Sequence, residues 1–510
     1  MDKSIVYLVG AGPGNAGMLT LRAQECIAHS DYVLYDQLVS SRILALAPAT
    51  AELQCVNELA DNHPARLPLI HERMIEQARL GKRVVRLKGG DPSVFGRVGE
   101  EISALRAAGI PYEVVPGVTV ALAAAACLEI PLTHRAHASA IAFVTGHEVP
   151  GKSEPVIDWA TLAQFPGTLV IYMGIARLTN IIEELTRHGL PGSTPAAIVS
   201  HVSCNDQFTV TAPLVELSKV CSESHLTTPA LVIVGKVVGL KPERCWFEAR
   251  PLFGLRVLIT RPKHQADSFI HQLEQLGAVA FSMPVIDILP PHDWSEVDAF
   301  IQQVRGGFFD WLLFTSANGV NSFFDRWQAI RLDARSLGGV RIAAIGAGTG
   351  AALESRRLIP DLVPGQKMNS ETLAAELTPM IAGKKIAILQ AESGRDFLAK
   401  HLASLAHVQV IAVYRQGLIL KPDHPNLALV ENRKIDVVIL TSPNIARGFL
   451  AACSQSSLNA IRSGMVKLLS NSQRTSEVIR GANLPVALES SDPSESALLQ
   501  TLLAFHQNLK

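Results

Sequence analysis

Short apolar runs recur along the whole chain, several of them closed by glycine or an acid, and stretches of helical period follow them. The first is Ile5-Val-Tyr-Leu-Val9, which runs into Gly10-Ala-Gly-Pro-Gly14 and then apolar positions at Leu19, Leu21, Cys26 and Ile27. The next, Tyr32-Val-Leu-Tyr-Asp36, ends in an acid. A third, built on Val84, Val85 and Leu87, breaks into Gly89-Gly-Asp-Pro92 before a helix through Ile102, Leu105 and Arg106, expected to open at about Glu100. In the second half Val257-Leu-Ile259, Trp311-Leu-Leu-Phe314, Ile342-Ala-Ala-Ile345, Ile386-Ala-Ile-Leu389 and Val437-Val-Ile-Leu440 alternate with helical stretches. In that second half, continuous apolar runs of strand length alternating with segments of 3.6-residue period predict α/β lobes with parallel sheets. Pro251 and Gly254 punctuate the chain just before a new strand, which puts a boundary there. A length of 510 residues exceeds one ordinary core and calls for two to four domains.

Composition narrows the class. The chain is 48% hydrophobic and 18% charged, as expected of a packed soluble protein. Its formal net charge is zero, so no global field recruits nucleic acid or an anionic membrane, although local arginines could hold a polyanion. The seven cysteines are scattered and never form Cys-x-x-Cys, which argues against a disulfide framework or a zinc site and for a reducing compartment. His134 and His137 lie three apart without acidic or thiol partners, and no metal is expected. Met1-Asp-Lys-Ser4 leads straight into a strand with no signal-peptide pattern, and no apolar run reaches the roughly 18 residues of a membrane span. A cytoplasmic protein is expected.

Candidate chemistry gathers where strands end. Gly89 and Gly90 lack Cβ atoms, so the backbone there can touch a ligand or take a positive φ. Asp91 before Pro92 can accept bonds from backbone amides or a ligand hydroxyl. Asn15 and Thr20 are both placed to cap the first helix. Gly12-x-Gly14-x-x-Gly17 after a strand, with Asp36 about 20 residues on, also satisfies a dinucleotide fingerprint, so a nicotinamide oxidoreductase is one alternative. Pro13 weakens it by removing an amide that could face a pyrophosphate. In the second half Phe314-Thr-Ser-Ala-Asn318 recurs as Leu440-Thr-Ser-Pro-Asn444. A Thr-Ser at a strand end, opening a helix, offers hydroxyls and amides able to hold a carboxylate, or is an ordinary N-cap. Gly346-Ala-Gly-Thr-Gly350 is a glycine cluster without the lysine of a nucleotide loop.

The ordered set of motifs is more specific than any one of them. Gly10–Gly14, Leu34-Tyr-Asp-Gln-Leu-Val-Ser40, Arg86-Leu-Lys-Gly-Gly-Asp-Pro92, Phe95-Gly-Arg97 with Glu100-Glu101, Val114-Val-Pro-Gly-Val-Thr119, Ile130-Pro-Leu-Thr-His-Arg135, Val144-Thr-Gly-His147, Thr168-Leu-Val-Ile-Tyr-Met-Gly174 and Pro229-Ala-Leu-Val-Ile-Val-Gly235 resemble, in order, the tetrapyrrole methyltransferases, in particular uroporphyrinogen-III C-methyltransferase. The resemblance implies two α/β lobes, about 1–115 and 116–250, with S-adenosylmethionine and substrate in the cleft between them, and a homodimer. It implies that Pro13, Gly89, Gly90, Asp91, Val94, Thr119, Val120 and Met173 line the methyl-donor site, that Asp36 is the base, and that Arg97 and Arg135 meet substrate. Three departures put turnover in question. Glu58 stands where the family carries a lysine thought to donate a proton, with Arg66 or Lys82 as possible substitutes for that cation. Val98 and Val202 replace family glycines.

Residues 251–510 resemble uroporphyrinogen-III synthase through Val257-Leu-Ile-Thr-Arg-Pro262, Pro284-Val-Ile-Asp-Ile288, Phe314–Val320, Ile345–Thr349 and Val413-Tyr-Arg415. This implies a second pair of α/β lobes, 254–288 plus 417–510 and 289–413, joined by extended strands at 284–288 and 411–416. The substrate so implied, hydroxymethylbilane, carries eight carboxylates. Arg261, Ser316, Thr349, Ser442 and Thr475 are the expected substrate contacts, and Tyr414 the expected general acid. The whole reads as a bifunctional enzyme that makes uroporphyrinogen III and methylates it at C2 and C7. The other alternative is an active synthase behind a non-catalytic methyltransferase half.

Overall fold

The structure is a computed structural model that describes residues 4–59, 63–147, 157–224, 226–365 and 369–509; the opening residues 1–3 thus lie outside it. The chain divides into two compact units, one of 1–255 with 273–279 and 506–510, the other of 256–272 and 280–505.

The first unit holds two sheets. Strands β1 (Ile5–Gly10), β2 (Tyr32–Tyr35), β3 (Glu52–Cys55), β4 (Arg83–Lys88) and β5 (Tyr112–Val115) form a wholly parallel sheet in the order β3-β2-β4-β1-β5. β1 and β4 are neighbours whose following connections leave to opposite sides, one toward β2 and the other toward β5. Such a switch point opens a crevice at the carboxyl ends of the strands, where ligands bind in sheets of this kind. Val9, Val85 and Leu87 fill one face against helix Leu21–Ala28; Val6, Leu8 and Val84 fill the other against helix His63–Arg79. Asn15 and Thr20 divide the capping: Asn15 accepts from the Gly17 N–H (2.8 Å) and Thr20 from the Ala23 N–H (3.1 Å).

Strands β6 (Ile141–Thr145), β7 (Thr168–Tyr172), β8 (Pro195–Ser200), β9 (Phe208–Pro213) and β10 (Ala230–Val234) make a mixed sheet in the order β6-β7-β10-β8-β9, parallel only between β6 and β7. The alanine-rich helix Val120–Leu128 lies on one face, its small side chains allowing close approach to Val170, Ala197, Val199, Leu231 and Ile233. The other face packs on the helix Leu178–Arg187.

In the second unit β11 (Arg256–Ile259), β12 (Val279–Ser282), β13 (Ile286–Leu289), β14 (Trp311–Phe314), β15 (Arg341–Ala344), β16 (Lys385–Ala391), β17 (His407–Leu418), β18 (Val437–Leu440), β19 (Lys467–Ser470) and β20 (Leu488–Glu489) form two sheets, β12-β11-β18-β19-β20 and β13-β17-β16-β14-β15. The antiparallel pair β13 and β17 leads from one lobe to the other: Ile286 faces Leu418, and beyond the pair the Ile419 N–H reaches the Val285 carbonyl at 3.0 Å. One lobe is centred on Phe300, Phe314, Phe323 and Trp327, the other on Leu258, Val438, Leu440, Phe449 and Leu468. Gly346–Gly350 is the start of an ordinary helix, Ala347–Ser355, and among the described residues no group of three or more metal-ligating side chains occurs. No helix there is long and apolar enough to cross a membrane.

Candidate active sites

The first site is the switch point itself. The loops after β1, β4 and β5 meet backbone to backbone: the Gly12 and Gly90 amides and carbonyls exchange bonds of 3.1 and 2.8 Å. A Cβ on Gly117 would stand 2.3 Å from the Gly90 carbonyl oxygen, and one on Gly10 2.6 Å from Gly117, so only glycine lets these loops close. Gly90 takes φ +69°, whereas a Cβ on Gly89 would meet nothing within 4 Å, leaving its backbone open to a ligand. Asp91 ties the loops together, its carboxylate accepting from the Ser93 N–H (2.7 Å) and the Gly117 N–H (2.9 Å). The loops also reach β7: Thr119 Oγ1 lies 2.7 Å from the Tyr172 hydroxyl, and the Phe95 ring packs on Tyr172 at 4.9 Å. Met173, the next residue, is exposed with φ +55°, and Val94 and Val120 pack partly buried at the edge of the core under the helix. Pro13 adjoins Gly12. The eight expected cofactor residues therefore belong to one connected set of loops.

Beside them the sheet hides an ionic network. On β4 the residues alternating with Val85 and Leu87 are Val84, Arg86 and Lys88, and they face the helix Val98–Ala107. Buried Glu101 on that helix receives Arg86 Nε (3.1 Å) and Lys88 Nζ (2.7 Å) on a single oxygen. Arg86 Nη2 then reaches Asp36 at 2.5 Å. Burial, and after it the neighbouring Arg86, push the Lys88 ammonium below its ordinary value. Burial likewise lowers His71, whose Nε2, like the second Glu101 oxygen, has no hydrogen-bond partner among the described residues. Arg86, Lys88 and Glu101 stand in the sequence motifs, but the motifs do not show that the three pair with one another. The signal was available: two cations at alternate positions of an apolar strand share one buried face and need an anion.

The second site is a cavity of about 830 Å3 within the second unit. Four helices begin at its wall: Ala317–Ala329, Ser370–Leu377, Pro443–Ala452 and Gln473–Gly481. Their capping residues all line it, Ser316 accepting from the Gly319 N–H (3.0 Å), Asn369 from Thr372 (2.8 Å), Ser442 from Ile445 (3.2 Å) and Ser472 from Thr475 (3.4 Å). Two come from each lobe. Helix N-termini present unbonded N–H groups and partial positive charge, so their convergence makes an anion receptor with few formal cations. Arg395 and Arg474 supply those cations. Tyr414, on β17, borders the cavity with its hydroxyl 3.1 Å from Ser316 Oγ, and burial raises its phenol above the ordinary 10.

A match to Tetrapyrrole (Corrin/Porphyrin) Methylases covers residues 5–218, and one to Uroporphyrinogen-III synthase HemD covers 267–500. "Porphyrin biosynthesis protein HemD" of Ruminiclostridium josui is 34% identical over 463 residues, 90% of this chain and 91% of the relative. The chain belongs to the family of fused tetrapyrrole methyltransferases and uroporphyrinogen-III synthases. The "Uroporphyrinogen-III C-methyltransferase" of Bacillus subtilis is 34% identical over 340 residues, 66% of this chain and 68% of the relative. A solved uroporphyrin-III C-methyltransferase of Thermus thermophilus, in complex with S-adenosylhomocysteine, is 41% identical with a TM-score of 0.40, over 46% of this chain and 99% of that one.

The expected substrate contacts of the synthase half differ in where they stand relative to the cavity. Arg261, Thr349 and Thr475 are not among the cavity-lining residues. Arg261 is mostly buried, bound to Glu495 at 2.7 Å and lying over the Phe269 ring. Thr349 is buried in its helix, and Thr475 is fully buried with its hydroxyl near Ser472 (3.0 Å) and Asn471. Of the expected contacts, Ser316, Ser442 and Tyr414 line the cavity. In the methyltransferase half Arg97, at φ +56°, is engaged by Glu100 at 2.8 Å, and Arg135 is exposed. His134 and His137 stack on each other at 4.8 Å.

Of the three departures, two are structural. Val98 packs partly buried against the core beneath β4, and Val202 is buried with Leu231 and Ala197 in the cluster that Val94 and Val120 also pack against. Glu58 is exposed on the turn Val56–Glu58. Lys82 is paired with Glu52 (3.1 Å), whereas Arg66 reaches Asn57 Oδ1 at 2.7 Å, which places a cation next to the altered position.

Proposed function

We propose that the synthase half closes hydroxymethylbilane to uroporphyrinogen III with inversion of the last ring, and that the methyltransferase half carries methyl groups to C2 and C7 of that product, giving precorrin-2. The observation that carries the reading is the pairing of Tyr414 with four converging helix N-termini in a chain whose other half holds the glycine-lined switch point. A linear tetrapyrrole with eight carboxylates matches a receptor of amides, hydroxyls and two arginines better than any neutral ligand does. Held folded there, its two ends are brought together, and this positioning supplies much of the rate. Tyr414 keeps its proton across the physiological range, since a phenol ordinarily titrates near 10 and burial raises this one further. It is therefore suited to protonate the departing hydroxyl as water. The last pyrrole then attacks through a spiro intermediate before the ring closes.

The methyl-donor loops fit S-adenosylmethionine. Gly89 and Gly90 allow close approach, and Val94, Val120 and Met173 supply an apolar wall suited to adenine and a sulfonium. When bound, the group supplies an electrophilic methyl. Asp36, held by Arg86 at the carboxyl end of β2, serves as base toward the carbon that loses its proton. Glu58 favours a second reading, in which this half binds tetrapyrrole without turnover, because a carboxylate there repels the substrate. The test is S-adenosylmethionine-dependent methylation of uroporphyrinogen III by the purified chain. Incorporation of two methyl groups supports the first reading; binding of both ligands without incorporation supports the second. Tight binding of a nicotinamide dinucleotide with no binding of S-adenosylmethionine would overturn both.

A further inference from the structure

In the synthase cleft the two helices Ser370–Leu377 and Gln473–Gly481 begin on opposite lobes, and each carries a charge at its second residue. On the first it is Glu371, favourable beside the positive helix end. On the second it is Arg474, set against the dipole of its own helix. The two side chains meet across the cavity, Arg474 Nη2 lying 3.8 Å from Glu371 Oε1, both half exposed and both lining the wall. A cation against a helix N-terminus raises the local positive potential that its capping amides already create. That arrangement is unfavourable in an empty protein and favourable once an anion arrives. Glu371 is the anion now present. At this separation and exposure the pair contributes little to stability, so fastening the lobes is a poor account of it.

We propose that Glu371 is a resident carboxylate that occupies Arg474 in the empty cleft and is displaced by a carboxylate of the substrate. Arg474 then anchors the polycarboxylate chain, and Glu371 sets how strongly a ligand must bind to take its place. The inference rests on the synthase reading for the identity of the substrate. The exchange of one carboxylate for another leaves the charge around Arg474 unchanged, so the site gains affinity only from ligands carrying further carboxylates for the other helix ends. A singly charged acid would gain nothing over Glu371. The pair thus discriminates by the number of carboxylates.

The experiment measures binding of uroporphyrin III, a stable octacarboxylate, to the full chain by fluorescence, alongside KM and kcat for uroporphyrinogen-III formation. The variants are Glu371→Gln, Arg474→Gln and the double variant. Glu371→Gln is expected to tighten binding and lower KM about three- to tenfold, and Arg474→Gln to weaken binding and raise KM about tenfold. In the Arg474→Gln background the Glu371 effect should vanish. A pair that only holds the lobes together would move both single variants in the same direction and lower their Tm together, and that result overturns the proposal. So does a Glu371→Gln effect that persists undiminished without Arg474, or no change in either variant. A wild-type chain that forms no uroporphyrinogen III, yet shows the opposed binding effects, overturns the synthase reading and leaves the carboxylate exchange standing.

Discussion

Tyr414 is buried to 5% exposure, and its hydroxyl is held 3.1 Å from Ser316 Oγ. Removing that hydroxyl alone, in Tyr414→Phe, should slow uroporphyrinogen-III formation roughly 10²-fold, the usual cost of one transition-state donor. Melting temperature should stay near wild type, and unchanged turnover with a normal isomer ratio would remove the residue from the chemistry. Because burial raises this phenol, the donor form persists above its ordinary pKa of 10. The pH profile of kcat should therefore show no alkaline limb from Tyr414 up to about pH 10; a limb that appears near pH 8 and disappears in the phenylalanine variant would contradict the assignment. Glu58 invites the complementary substitution. Single-turnover methylation by Glu58→Lys should exceed wild type, while Asp36→Ala abolishes it. A fast wild-type rate lowered by the lysine would mean that Arg66, bonded to Asn57 beside it, already supplies the cation.

Elements explain why some of this was legible in sequence and some was not. The Thr-Ser repeat at strand ends marked two of the helix caps around the cavity, because an N-cap needs a side-chain oxygen and an extended residue just before the helical pattern. The same logic does not reach Asn369, whose helix follows another helix in the element order, or Ser472, which follows β19 without a Thr-Ser pair. Arg261 and Thr475 are expected contacts through the synthase resemblance, and a motif match does not reveal that Glu495 or Asn471 already holds the group. The buried Arg86–Glu101–Lys88 network is not legible in the motifs that contain these residues, because pairing between a strand and a helix 13 to 15 residues on depends on the fold. The glycine loops were readable as close approaches, though not which loop would meet which. That meeting is testable. Gly117→Ala would drive a Cβ to 2.3 Å from the Gly90 carbonyl, a backbone contact that cannot swing away. It should cost about 1–3 kcal/mol of stability and weaken S-adenosylmethionine binding with no effect on the synthase. Unaltered affinity by calorimetry would show that the loop junction does not shape the cofactor site.

At the scale of the molecule, the two sites lie in separate compact units, each with its own pair of sheets. The activities should then be separable by single substitutions: Asp36→Ala should retain uroporphyrinogen-III formation, and Tyr414→Phe should retain methylation of supplied uroporphyrinogen III. Loss of both activities in either variant would contradict the independence of the sites. The most direct test supplies the purified chain with hydroxymethylbilane and S-adenosylmethionine together and follows isomer and mass of the product. The account predicts the type III isomer carrying two added methyl groups, formed without any other enzyme. Recovery of only the type I isomer, the product of unassisted closure, with no methyl incorporated, would contradict it.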